Sequence, residues 1–166
     1  MIGVIGTTGM VGAAVAERLH SAGLPVLLSA RRRSAINHPT HADIEVAHVD
    51  ITDSVSLDAF CRRCSVVVNC AGPSYRILDT VARAALSNGA HYVDPAGDDP
   101  VYTRLQRPPG PQRAAVVSAG LLPGVSAMIP SWLVTRFDEP IHRLSCLAGG
   151  IAPLSDAAAA DFLLSE

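Results

Sequence analysis

The first residues able to do chemistry lie six positions into the chain, where Gly6-Thr7-Thr8-Gly9-Met10-Val11-Gly12 reads G-x-x-G-x-x-G. Gly6 permits a tight turn, Gly9 lets backbone approach a pyrophosphate, and Gly12 allows close packing of a helix whose free N-terminal amides complement anionic oxygens. A second group follows at Ser29-Ala30-Arg31-Arg32, and no acidic residue occurs between Glu17 and Asp43. A dinucleotide site that prefers NAD sets a carboxylate here for the ribose 2′-hydroxyl. A guanidinium fork matches a 2′-phosphate instead, so Arg31, with Arg32 and Ser29 as helpers, points to NADP.

Three more groups follow later strands. Asp50 stands where a side chain could meet an adenine edge or, equally, cap the next helix. Asn69-Cys70-Ala71-Gly72-Pro73 is a run of small residues that leaves room for a nicotinamide ribose before the chain turns away. Tyr92 and Asp94 alternate with Val93 and so share one strand face, which makes them the candidates for a catalytic proton donor. Their alternative roles are a core tyrosine and a turn-capping aspartate before Pro95. His91 reads at least as well as a structural residue, and Asp98 and Asp99 are loop residues able to bind a substrate amine.

Composition narrows the chemistry further. All thirteen basic residues are arginine, which excludes Schiff-base catalysis, a P-loop lysine and a Tyr-x-x-x-Lys pair. A formal charge of -2 supplies no field for a polyanion, so nucleic acid is not an expected partner. Cys61-Arg-Arg-Cys64 has half the spacing of a zinc site without a matching second pair, and no metal is expected. The uncharged stretch from Ala114 to Val134 is punctuated by Gly120, Pro123, Gly124 and Pro130, which argues against a membrane span. The first basic residue is Arg18, unlike the charged start of a secretory signal, so a cytoplasmic location is expected.

The elements that must position these groups alternate between two periods. Apolar runs at Met1–Ile5, Leu24–Ala30, Ile44–Val49, Ser65–Asn69, His91–Val93 and Ala114–Ser118 read as strands. Helices are expected over Met10–Ala22, from Ser54 to about Cys64 behind an Asp53 cap, and over Tyr75–Ser87 behind a Ser74 cap. Further helices fall within Val125–Phe137 and over Asp156–Glu166. Repeated strand-helix-strand units imply an α/β fold, a doubly wound parallel sheet of Rossmann type with ligands beyond the strands' carboxyl ends.

In order along the chain, the glycine loop, Ala30-Arg31-Arg32, Val67 to Pro73, Gly89-Ala90-His91-Tyr92-Val93-Asp94 with Gly97, Ala119-Gly120 with Pro123-Gly124, and Gly149-Gly150 resemble the NADP-binding part of the saccharopine dehydrogenase-like family. The resemblance implies hydride transfer between NADPH and a C=N or C=C bond of a small molecule held between this domain and a following one. It divides the chain into a dinucleotide-binding domain over 1–140 and the start of a substrate or dimerisation domain over 141–166, whose remainder is absent. An apolar patch over Val125–Phe137 and Ile151–Leu164 is then expected to favour a homo-oligomer. Two other readings stand beside this one. A non-catalytic NADP sensor or partner subunit would need no acid–base group, and a semialdehyde dehydrogenase-like enzyme would use Cys70 as an acyl-forming nucleophile.

Overall fold

Alternating apolar runs and helix-period segments decide the architecture. The computed structural model describes residues 1–31, 44–97, 99–106, 113–121, 124–147, 149 and 155–164, with every side chain in them except those at 99, 157, 162 and 164. The strands are β1 (Ile2–Ile5), β2 (Val26–Ala30), β3 (Ile44–His48), β4 (Val66–Asn69), β5 (His91–Val93) and β6 (Ala115–Val116). They form one sheet in the order β3-β2-β1-β4-β5-β6, and every pairing is parallel. The order reverses between β1 and β4, which is where a doubly wound sheet opens its crevice.

Strand alternation sorts the core into two layers. Val4, Val26 and Leu28 pack with Ala16 of α1 (Met10–Ser21) on one face. Ile5, Leu27, Val67 and Tyr92 pack on the other, under Leu57 and Phe60 of α2 (Ser54–Cys61) and Val81 and Ala85 of α4 (Thr80–Ser87). All five residues of β2 are buried, and each buried Val or Leu contributes about 1.5–3 kcal/mol, so burial on both faces holds that strand inside the sheet.

The helix expected over Tyr75–Ser87 is two helices, α3 (Ser74–Ile77) and α4, because Leu78 turns left-handed at φ 47°. Ser74 is the first residue of α3 and not its cap; Pro73 holds that position. Asp79, buried between the two, pairs with Arg83 and with Arg104 of α5 (Asp99–Arg104), a helix that the hydrophobic pattern does not announce. The expected strand Ala114–Ser118 shrinks to β6, and Ser118 lies at φ 55°. Asp53 caps α2 as expected, accepting from the amides of Val55 and Ser56.

Beyond β6 the packing thins. No residue of α6 (Val125–Val134) is buried, and Met128, Trp132 and Phe137 stay 70%, 55% and 60% exposed. The Arg136 guanidinium lies over the Trp132 ring, 4.8 Å from its centroid. Residues 141–147 carry no regular structure, and α7 (Asp156–Leu164) returns to touch α3. Among the described residues no helix is long and apolar enough to cross a membrane.

Candidate functional site

The crevice has two halves, and the first is built almost wholly from backbone. Gly6 sits at φ 83°, and a Cβ there would lie 2.5 Å from the Ala71 nitrogen and the Cys70 carbonyl. A Cβ at Gly12 would run into the Gly6 carbonyl oxygen and lie 3.1 Å from the Thr7 Cα. Gly9 is the N-cap of α1 and offers no side chain to its amides, and no acidic residue stands in the first turn. The result is a side-chain-free cradle at a positive helix end, a fit for a diphosphate.

Two side chains of the expected cofactor set fasten this cradle to β2. Thr7 Oγ1 donates to the Ser29 carbonyl at 2.6 Å, and Ser29 Oγ accepts from the Gly6 amide at 3.3 Å. Both residues are buried, so their polar atoms serve the loop's shape. Thr8, Met10 and Val11 are exposed along its rim. Arg31 follows β2 directly and is exposed; Arg32 and Asp98 lie outside the described residues. Across the strand ends, Asp50 does not cap α2. Its carboxylate accepts from the Thr52 hydroxyl at 2.7 Å and the Thr52 amide at 2.9 Å. Those bonds, with the positive charge of Arg31, hold the Asp50 pKa below the usual carboxylate value.

The second half, beyond β4 and β5, is built from side chains. Asn69 Oδ1 accepts from the Ala71 amide at 3.2 Å, and Asp94 Oδ1 accepts from the Ala96 amide at 2.9 Å, so each residue shapes the turn that follows it. Asn69 Nδ2 donates to Asp94 Oδ2 and to the Tyr92 hydroxyl oxygen, both at 3.2 Å. Tyr92 and Asp94 do share a face, as alternation requires, and the Tyr92 hydroxyl donates to Asp94 Oδ2 at 2.6 Å. Tyr92 is fully buried and Asp94 is 4% exposed. Burial, then the Asp94 charge, pushes the Tyr92 hydroxyl pKa well above its ordinary value. A proton donor must come within hydrogen-bond reach of its substrate, and this hydroxyl faces the protein interior.

Cys70 is half-buried beside the same turn. Burial and then the Asp94 charge push its thiol up to about 12, so at neutral pH it is protonated and a poor nucleophile. The semialdehyde dehydrogenase-like reading loses its activated thiolate. His91 Nδ1 accepts from the Ala114 amide at 3.0 Å, a structural bond at the strand end. Gly72 is exposed and Pro73 half-buried at the entry to α3.

One residue of this half escaped sequence reasoning. Asp161 of α7 accepts from the Ser74 amide at 2.6 Å, the Ser74 hydroxyl at 2.9 Å and the Tyr75 amide at 3.4 Å, latching α7 onto the start of α3. The available signal was its isolation: it is the one charge between Asp156 and Glu166 in an otherwise apolar helix, which favours a partner.

Comparison with known proteins agrees with this fold. The profile of the NAD dependent epimerase/dehydratase family matches residues 2–89, from β1 through α4. The lipid droplet localized protein of Caenorhabditis elegans is 32% identical over 119 residues, covering 63% of this chain and 28% of that protein. The human saccharopine dehydrogenase-like oxidoreductase is 27% identical over 124 residues, covering 63% of this chain and 29% of that one. The chain therefore spans under a third of the length of these curated relatives. Apo saccharopine dehydrogenase (L-Glu forming) from Saccharomyces cerevisiae superposes with a TM-score of 0.68 at 18% identity, over 81% of this chain and 30% of that one, a likeness of fold.

Proposed function

The chain belongs to the NAD dependent epimerase/dehydratase family, and from that premise we propose that it binds NADPH as the cofactor domain of a saccharopine dehydrogenase-like oxidoreductase. The observation that carries this reading is the cradle closed by Gly6 and Gly12 at the uncapped start of α1, with Arg31 exposed at the end of β2. The amides of the Gly6–Gly12 loop would hold the diphosphate, and Arg31 the 2′-phosphate. The backbone from Asn69 to Pro73 would border the nicotinamide ribose. When bound, the dinucleotide supplies hydride for reduction of a C=N or C=C bond in a small molecule. The chain's own residues exclude bulk from the cradle, orient the turns around it and place a guanidinium at the adenosine end.

A second reading, an NADP-binding sensor or partner subunit without turnover, draws support from the burial of Tyr92 and Asp94, which withdraws the expected acid from the surface. Titration calorimetry tests the shared premise. NADPH should bind more tightly than NADH by about tenfold or more, and Arg31→Ala should erase that preference. No heat with either dinucleotide, or a preference untouched by Arg31→Ala, would overturn the assignment. Turnover of NADPH with imine or enoyl substrates, or its absence alongside tight binding, then separates enzyme from sensor.

A further inference from the structure

Asn69, Tyr92 and Asp94 form a closed polar set inside the sheet's carboxyl edge. The β4–β5 register pairs Val67 with Tyr92 and Val68 with Val93, so Asn69 and Asp94 come side by side just past the paired strands. Tyr92, one alternation below Asp94, lifts its hydroxyl to both. All three are buried, at 3%, 0% and 4% exposure. Among the described residues no buried side-chain polar atom lacks a partner.

Such a set is an expensive way to fill a core. Phe and Leu of similar size would pack there without desolvating a carboxylate, an amide and a phenol, and buried polar groups of this kind often add little net stability. What apolar residues could not supply is direction. The outer oxygens of Asn69 and Asp94 orient the Ala71 and Ala96 amides, and the inner atoms tie those two residues together. The turn after β4 and the turn after β5 are therefore tied to each other by bonds separate from the Thr7 and Ser29 bonds that set the glycine loop, while Gly6 packs against the first of the two turns at Cys70 and Ala71.

We infer that Asn69, Tyr92 and Asp94 are positioning residues that hold the turns after β4 and β5 in the arrangement the nicotinamide half of a dinucleotide requires. This rests on the cofactor reading above and assigns a separate role within it: selectivity for the intact dinucleotide over its adenosine fragment. The three side chains act through the backbone of Ala71 and Ala96, not by touching the ligand. Pre-setting the turns removes an ordering cost from binding.

Calorimetry of the 166-residue chain with NADPH and with 2′-phospho-ADP, which lacks both nicotinamide and its ribose, tests this assignment. In Tyr92→Phe, which keeps the ring, NADPH should weaken about fivefold, the worth of one hydrogen bond, while the fragment stays within about twofold. Asp94→Asn, which keeps the side chain's shape and its acceptor for Ala96, is the second variant and should show the same split. Amide hydrogen exchange should quicken at Ala71 and Ala96 in both variants and stay unchanged at Gly9. Equal weakening of both ligands, no weakening of NADPH, or unaltered exchange at the two turns would overturn the inference while leaving the cofactor reading intact. Failure of the unmodified chain to bind either ligand would overturn both.

Discussion

The two halves of the crevice are made differently. On the β1–β2 side the cradle consists of main chain and missing side chains, with partners that are near neighbours in the loop or lie across adjacent strands. On the β4–β5 side the turns are held by Asn69, Tyr92 and Asp94, and α3 is latched by Asp161 from 87 residues away. A backbone site tolerates no added atom at its closest approaches, Gly6 and Gly12, but asks few side chains of distant sequence. A side-chain site tolerates conservative replacement but depends on contacts made only after the chain has folded.

The largest effect should come from breaking the first half. Gly12→Val sets a branched side chain against the Gly6 carbonyl, which is backbone and cannot yield cheaply. NADPH binding should fall about a hundredfold or more, with a lowered melting temperature. A Gly12→Val chain that binds NADPH normally by calorimetry would remove the contrast between the halves.

A smaller effect is expected from the second half. Asp161→Ala leaves the Ser74 and Tyr75 amides without this acceptor at the start of α3. The loss of such a cap costs about 1 kcal/mol, which for a chain of this size lowers the melting temperature by about 2–4 °C. Asp161→Asn, which keeps an acceptor oxygen, should recover part of it. Circular dichroism melts that show no difference between Ala and Asn would mean the latch carries no energy.

The smallest effect concerns the thiols. Burial pushes Cys61 and Cys70 from an ordinary value of 9.0 up to about 12, while Cys146 is exposed. Alkylation at pH 8 followed by mass spectrometry should therefore label Cys146 first and the other two only on unfolding. Because the native state keeps protons that the unfolded chain has released, stability should decline as pH rises from about 9 to about 12. Early labelling of Cys70 would show that its turn opens readily and that the bonds among Asn69, Tyr92 and Asp94 do not hold the second half closed.

How much of this was legible in advance follows the same division. The apolar runs at Leu24–Ala30 and Ser65–Asn69, the glycine spacing and the Asp53 cap are local signals; the runs contain β2 (Val26–Ala30) and β4 (Val66–Asn69), and the cap starts α2. The break at Leu78 was not legible, since a leucine in the left-handed region has no sequence signature and is held there by its surroundings. Nor was α5, which is short and anchored through Arg104 to Asp79. Alternation placed Tyr92 and Asp94 on one face, but it could not say that the face is interior.

By itself the sequence determined the parallel α/β architecture and the position of the glycine cradle, because period-two and period-3.6 burial and the absence of a Cβ act within a few residues. Tertiary structure alone decided that Tyr92 is a buried tie to Asp94, that Cys70 stays protonated, and that Asp161 reaches α3. Each of those outcomes depends on which distant groups exclude water from a polar atom, and that is settled only when the layers close.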